Sequence, residues 1–529
     1  MALHRRLFLG ALATLPMARL ARGDTAHRLT ILHMNDFHSR HEPVDGRALG
    51  CKPGARADCL GGVAHLASAL VAERAAAETA GRSVLLVDAG DQFQGSLFYT
   101  AWHGEVELAV MHVLGTEAMA VGNHEFDNGP DTLARFVKAA KFPVLSANID
   151  ASADPALAGL LRPSMRVNKA GLEIGIVGLT TLQTATTSSP GPHVRFAEPA
   201  PILAAEAAAL RRNGAKLVIA LSHLGVDEDM ALAGHAPGVD VFVGGHSHTL
   251  LSDSEAGAAG PAHAAYSGPA GRAVVVQAAC YGRYFGRLDL DVAADGTVLA
   301  YGGDTRHIGL DLPEHPEVAA IVASYAAKLD QVRRRVVGHA PEALPITTCR
   351  VGECALGSFV AEALLGSVEH ADVAIFNAGG LRTGLPAGDI TLGDVLTMLP
   401  FGNTTATMKL KGADLLQALA NGVGRAGYGG FPQVAGMRIR WNPLAEASAR
   451  LGLVEIRNPD GSFARLDPER VYSVVTNNFM RTGGDGYIAM RDHAIDPYDT
   501  GPGVDEVVAA AITRTNGLQP ATDGRIGLE

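Results

Sequence analysis

Val84-Leu85-Leu86-Val87 gives way at once to Asp88-Ala89-Gly90-Asp91. A short continuous apolar run that stops at a glycine turn reads as a strand buried on both faces. Its carboxylates then sit just past the carboxyl end of that strand. Four more stretches repeat the design. Leu29 to His33 precedes Asp36-Phe37-His38, and Ala118 to Val121 precedes Gly122-Asn123-His124-Glu125. Leu217 to Leu221 precedes Ser222-His223, and Val241 to Val243 precedes Gly245-His246-Ser247-His248. Between these runs, residues 62–80, 131–140 and 201–213 read as alanine-rich helices, so this part of the chain predicts layered α/β structure. In an open α/β sheet, groups just beyond the carboxyl ends of the strands converge on one crevice. One site is therefore expected to collect all five clusters. Residues 264–291 read differently, as closely spaced strands pairing antiparallel at a sheet edge or in a second sheet.

Outward from this core, residues 313–337 carry apolar side chains at helical spacing and predict a linking helix that ends in Arg333-Arg334-Arg335. A second lobe follows over 338–529, with helices expected at 356–365 and 413–421 and strands at 373–376, 437–441 and 471–476. The glycine-rich stretch Gly422 to Phe431 predicts an exposed loop. A length of 529 residues fits two such lobes, and 47% hydrophobic against 19% charged residues excludes a disordered chain. Lysine plus arginine at 44 against aspartate plus glutamate at 55 leaves a net charge of −11, so no nucleic-acid partner is expected. An anionic substrate would need a local positive centre.

At the N-terminus Arg5-Arg6 precede the brief apolar stretch Leu7 to Ala13, which is too short to span a bilayer as a mature helix. Residues 1–26 predict an export signal resembling the twin-arginine type, and no stable transmembrane segment is expected in the mature chain. Among five cysteines, Cys51 with Cys59 and Cys349 with Cys354 form close pairs suited to local disulfides in an oxidising, periplasmic or extracellular compartment. Cys280 is left over and reads as a small buried hydrophobe.

The five clusters offer seven convergent oxygen and nitrogen ligands, more than one tetrahedral ion uses. Two divalent ions about 3.5–4 Å apart, sharing a carboxylate, would use them all. Such ligation without thiolate suits zinc or manganese first, with cobalt or iron as further candidates. Asp91 and Asp88 are both candidates for the shared carboxylate. Asp127, three residues after His124, is spaced to fix that imidazole's tautomer and raise its basicity. Glu125 is expected to support the shell or the helix start.

These five blocks resemble the signature of calcineurin-like metallophosphoesterases, with the spacing of the 5′-nucleotidase family, and the resemblance runs through the second lobe. It implies an αββα metallophosphoesterase domain over 27–312 and a smaller α+β substrate-binding domain over 338–529. It also implies that Asp36, His38, Asp91 and His248 bind one metal and Asp91, Asn123, His223 and His246 the other, with His124 and Asp127 as the catalytic dyad. Several members carry an amide where His248 stands, which leaves metal preference open.

In the second lobe Asn377-Ala378-Gly379-Gly380-Leu381-Arg382 supplies a glycine turn with a guanidinium, and Phe401 and Phe479 each sit among turn-forming residues. Two such rings can hold a flat base between them. Residue by residue, Phe401 and Phe479 resemble the family's base-stacking pair, Asp485 the acid that binds ribose hydroxyls, and Arg350, Asn377 and Arg382 polar groups that contact the nucleotide. Cys349-Arg350-Val351-Gly352-Glu353-Cys354 is similar to a short disulfide loop of the ecto-5′-nucleotidase branch. The implied activity is hydrolysis of nucleoside 5′-monophosphates, AMP foremost, by a hydroxide on a dinuclear metal centre. Related branches act instead on UDP-sugars, nucleoside diphosphates, 2′,3′-cyclic nucleotides or a carrier-bound sulfur compound, and a non-catalytic nucleotide-binding protein is the reading from another class. Oligomeric state is not legible.

Overall fold

The computed structural model describes residues 25–44, 51, 59–235, 237–268, 271–515, 517–518 and 521–529. The export signal expected over 1–26 lies outside them up to residue 24. No helix among the described residues is long and apolar enough to cross a membrane.

Two sheets organise the chain up to His307. One runs in the order Val298–Gly302, Tyr284–Ala293, Thr25–Met34, Ser83–Asp88, Ala118–Ala120, Val144–Leu145, with Thr305–His307 also on Tyr284–Ala293. The other runs Ala264–Gly268, Gly271–Val276, Val241–Val243, Leu217–His223, Leu172–Thr180, Ser164–Lys169. Strand side chains alternate between faces, and the buried clusters follow that alternation. Leu29, Ile31, Leu85 and Val87 meet Ile174, Ile176, Ile219 and Leu221 between the sheets. Leu32, Met34, Val84 and Leu86 point the other way, onto Leu66 and Leu70 of helix Val63–Thr79. Val218 and Ala220 likewise face Leu203, Ala207 and Leu210 of helix Pro199–Arg212. Both faces of each sheet are covered, which makes four layers, α on β on β on α.

The five ligand-bearing strands are not in one sheet, as a single crevice at one open sheet would require. Three belong to the first sheet and two, Leu217–His223 and Val241–Val243, to the second. The apolar runs mark strands buried on both faces but say nothing of which sheet takes each one. The sheets present their carboxyl edges to the same side, where His223 Nδ1 lies 2.7 Å from the Ala89 carbonyl of the other sheet. Residues 264–291 satisfy both alternatives at once. Ala264–Gly268 and Gly271–Val276 pair antiparallel at the edge of the second sheet, whereas Tyr284–Ala293 crosses to the first and pairs antiparallel with Thr25–Met34.

Residues 313–337 hold two short helices, Pro316–Ala326 and Leu329–Arg333, and Val336 already begins strand Val336–Ala340. Beyond them a five-stranded sheet in the order Pro432–Ala435, Val373–Asn377, Val471–Asn477, Thr405–Lys411, Ile495–Tyr498 and a four-stranded sheet share one core with helices Ala355–Leu365, Gly412–Gly424 and Val504–Arg514. The stretch Gly422 to Phe431 is not simply an exposed loop. Gly422 closes against Tyr487, whose hydroxyl a Cβ would strike, and Phe431 is fully buried with its ring edge-on to Trp441. Glycine there permits close packing rather than marking exposure, although Tyr428 is 72% exposed. Disulfides join Cys51 to Cys59 and Cys349 to Cys354.

The two halves touch where Thr100 Oγ1 donates to Glu506 Oε1 at 2.9 Å, beside a cavity of about 350 Å³ lined by Arg40, Gln94, Asp505 and Glu506. Burial, with Asp505 alongside, pushes Glu506 up to about 7 from an ordinary 4.5. Between those values the folded chain keeps a proton that the unfolded chain has released, so stability falls as pH rises through this window and the full cost is present above it. Glu506→Gln is expected to stabilise the protein at pH 8 by about 1–2 kcal/mol and to change nothing at pH 4. Thermal unfolding at both pH values checks this, and an equal gain at each would contradict it.

Candidate metal centre and substrate cleft

Three of the five strands, Thr25–Met34, Ser83–Asp88 and Val241–Val243, lead into a sharp backbone reversal, whereas Asn123 keeps right-handed backbone and His223 is the last residue of its strand. Asp36, His38, Asp91, His246 and His248 all have φ between 51° and 73°, the left-handed region. Such conformations cost about 1–3 kcal/mol apiece and persist where the surroundings over-determine them. Here the loops aim side chains inward. His38 Nε2 and His248 Nε2 lie 3.0 Å apart, and Asp36 Oδ1 is 3.5 Å from His248 Nε2. Asp91 Oδ2 is 3.0 Å from His223 Nε2 and 3.8 Å from His38 Nε2. Asn123 Oδ1 is 3.3 Å from His223 Nε2. The ligand atoms of Asp36, His38 and His248 all lie within 4.8 Å of one another, as do those of Asp91, His223 and His246. All seven candidates are thus brought together. Asp91 stands between the two groups, and Gly122 leaves it room, since a Cβ there would run into Asp91 Oδ1.

The donor set fits divalent cations. Four imidazoles, two carboxylates and an amide converge without a thiolate. His246 Nδ1 is buried with no hydrogen-bond partner among the described residues. Burial, with His223 beside it, pushes His246 down to about 3, keeping it neutral as a ligand must be. His223 moves the other way: burial opposes the shift, but Asp91 carries it up to about 9.

Around these groups lies a supporting shell. Glu125 accepts the backbone N–H of Asp91, Gln92, Phe93 and Gly122 at 2.7–3.3 Å, so it clamps two ligand loops. Asp88 turns away from the cluster. It accepts from the Gly90 N–H and Gln92 Nε2, and burial raises its carboxyl well above the usual range. Asn35 Nδ2 donates to Asp36 Oδ2 at 2.6 Å.

His124 Nδ1 lies 2.7 Å from Asp127 Oδ2, and Ser188 Oγ donates to Asp127 Oδ1 at 2.7 Å. A ring nitrogen of His124 is within 4.8 Å of the ligand atoms of His38 and Asp91, and its Nε2 is buried with no partner among the described residues. Burial alone would lower this imidazole, but Asp127 and Asp91 carry it up to about 10.

A cavity of about 780 Å³ opens beside the cluster. His248 and Tyr281 line it from one lobe, and Arg350, Asn377, Arg382, Phe401, Phe479 and Asp485 line it from the other. All six second-lobe candidates therefore share one cleft. Phe479 is 42% exposed, and the Arg382 guanidinium sits 5.5 Å from the Phe401 ring centre. Asn477 Nδ2 donates to Asn377 Oδ1, whose Nδ2 donates to Asp485 Oδ2, a chain that orients the acid from beneath.

Several contributors escaped sequence reasoning. Tyr281 carries no pattern and is aimed by an irregular turn in which Ala279 and Tyr281 both have positive φ. Cys280 is buried, as expected of a small hydrophobe, yet it is polar in company: Arg283 Nη2 donates to its Sγ at 3.4 Å and His248 is within hydrogen-bonding reach. Tyr498 comes from a strand 375 residues downstream of Asn123 and accepts from its amide.

Residues 29–250 match the calcineurin-like phosphoesterase family and residues 336–492 the 5′-nucleotidase, C-terminal domain family. The 5′-nucleotidase of Bos taurus is 34% identical over 527 residues, covering 94% of this chain and 90% of that protein. The solved 5′-nucleotidase precursor of Thermus thermophilus is 36% identical with a TM-score of 0.60, covering 95% of this chain and 99% of that one. The NAD nucleotidase of Haemophilus influenzae is 25% identical, with the same coverage and a TM-score of 0.83. A phosphoesterase lobe with its ligand candidates gathered, joined to a nucleotidase C-terminal lobe that shares its cleft, agrees with these matches, and the chain belongs to the 5′-nucleotidase family of hydrolases.

Proposed function

We propose that the protein hydrolyses nucleoside 5′-monophosphates, AMP foremost, to nucleoside and phosphate at a centre of two divalent cations. The observation that carries this reading is that the cleft bearing Phe401, Phe479 and Asp485 is walled by the ligand candidate His248, so one molecule can present its base to the rings and its phosphate to the cations. Asp36, His38, Asp91 and His248 would hold one ion and Asp91, Asn123, His223 and His246 the other. Zinc or manganese suits these donors best. Such ions supply Lewis acidity, bringing the pKa of water towards neutrality and offsetting phosphoryl charge.

The chain's own groups do the rest. His124, cationic at neutral pH and oriented by Asp127, donates to a phosphoryl oxygen and hands a proton to the departing 5′ oxygen as the P–O bond breaks. Arg350 and Arg382 steady the anion, Asn377 and Asp485 take the ribose edge, and Phe401 and Phe479 stack the base. The units are 27–312 and 338–529, hinged within about 313–338. A lower TM-score for the more identical of the two solved structures supports lobes that change their relative placement across the family. Two disulfides support an exported, periplasmic or extracellular protein.

Phosphate release from AMP, other monophosphates and ADP, and UMP release from UDP-glucose, each with manganese, zinc or cobalt, test the assignment; turnover of UDP-glucose or ADP above AMP would move it to a neighbouring branch. Phe401→Ala is expected to raise the KM for AMP by about tenfold or more, since stacking of one base on an aromatic contributes about 1–3 kcal/mol. A simple phosphate ester should be unaffected. Unchanged discrimination between the two esters would remove the base clamp from the mechanism.

A further inference from the structure

Asn123 poses a problem that a carboxylate ligand does not. Its side chain ends in an oxygen on one branch and an NH2 on the other, and only the oxygen can hold a cation. The amide must therefore be locked in one of two rotations. Tyr498, the last residue of strand Ile495–Tyr498 in the C-terminal lobe, lies against it. Asn123 Nδ2 donates to Tyr498 Oη at 2.9 Å, and that hydroxyl donates to the Thr500 carbonyl at 3.1 Å. Towards Asn123 the phenol oxygen therefore acts as an acceptor. The NH2 must then turn to the phenol and Oδ1 must turn inward, where it lies 3.3 Å from His223 Nε2. The Tyr498 ring also stacks on His246, with centroids 6.2 Å apart and planes 25° apart. One side chain of the C-terminal lobe thus touches two ligand candidates of the N-terminal lobe, on the same side of the cluster.

We propose that Tyr498 is a positioning residue that completes the Asn123–His246 ion site from the opposite lobe, by dictating which end of the Asn123 amide faces the ion. This rests on the metal assignment above. Its consequence is a coupling between domain packing and metal binding: the site is fully formed only when the lobes sit as they do here. Tyr498 acts through Asn123 and His246 rather than on the reacting atoms.

The test uses the full chain stripped of metal by chelator and titrated with Mn²⁺ by equilibrium dialysis and metal analysis. Wild type is expected to bind two ions. Tyr498→Phe keeps the ring and its stack but removes the acceptor. One ion should then bind as before, and the other should bind about tenfold more weakly, the usual scale for loss of an outer partner of a ligand. In the same variant kcat for AMP should fall at limiting Mn²⁺ and recover in excess Mn²⁺, with KM little changed. Asn123→Asp makes orientation irrelevant, because either carboxylate oxygen can ligate. Adding Tyr498→Phe to Asn123→Asp should therefore produce no further loss of affinity. Equal losses with and without Asn123→Asp, or no loss in Tyr498→Phe while wild type binds two ions, would overturn the proposal and leave the metal assignment standing. A wild-type chain that binds fewer than two Mn²⁺ ions would overturn both.

Discussion

His124→Ala is expected to lower kcat for AMP by about 10²–10⁴-fold, the usual contribution of a positioned general acid, while metal content stays near its wild-type level. The imidazole is fully buried, tied to Asp127 at 2.7 Å and carried up to about 10 by Asp127 and Asp91 against burial, and in the proposed reaction it would hold the proton that the leaving oxygen requires. The backbone amide of His124, not its ring, donates to Asp91 Oδ1 at 2.9 Å, and alanine keeps that bond. Steady-state kinetics together with metal analysis therefore separate the roles. A variant that loses metal along with activity would make the ring a ligand, and one that retains full turnover would remove it from the reaction.

Asp91→Ala is expected to be more severe, cutting turnover by more than about 10³-fold because several kcal/mol of charge stabilisation depends on the ions, and to take metal content below one ion per chain. Asp91 stands between the two groups of ligand candidates, with His223 Nε2 3.0 Å away on one side and His38 Nε2 3.8 Å away on the other, so in the proposed centre it is the ligand both ions share. Asp88 is already engaged by the Gly90 N–H and Gln92 Nε2, and burial raises its carboxyl well above the usual range, so it is not expected to stand in for Asp91. The loop itself should survive, because Glu125 holds the backbone of residues 91 to 93 independently of the side chain. A variant that unfolds normally yet keeps two ions would sink the shared-ligand assignment.

How much of this was legible beforehand differs from residue to residue. Val84 to Val87 and the four runs like it announce strands buried on both faces, because a buried strand needs apolar side chains pointing both ways and the sequence records each of them. The polar clusters follow the runs within a few residues, so Asp36, Asp91, Asn123, His223 and His246 could be picked out one by one. Pairing was beyond reach. A strand's own residues do not state its neighbour, and the first three ligand strands lie in one sheet while the last two lie in another. Glycine misled at Gly422 to Phe431, where its absent side chain serves close packing against Tyr487 and a buried ring rather than a loop.

By itself the sequence determined the elements, the identity of the chemistry-bearing side chains and their order along the chain, because each of these depends on local periodicity and on turns a few residues long. Only the tertiary structure decided which groups meet. The clamp of Glu125 on two loops, the turning away of Asp88, the entry of Tyr281 into the cleft and the reach of Tyr498 from one lobe to Asn123 in the other are contacts between distant segments. Such contacts arise from how sheets and lobes pack, and no repeat or spacing within either partner encodes them.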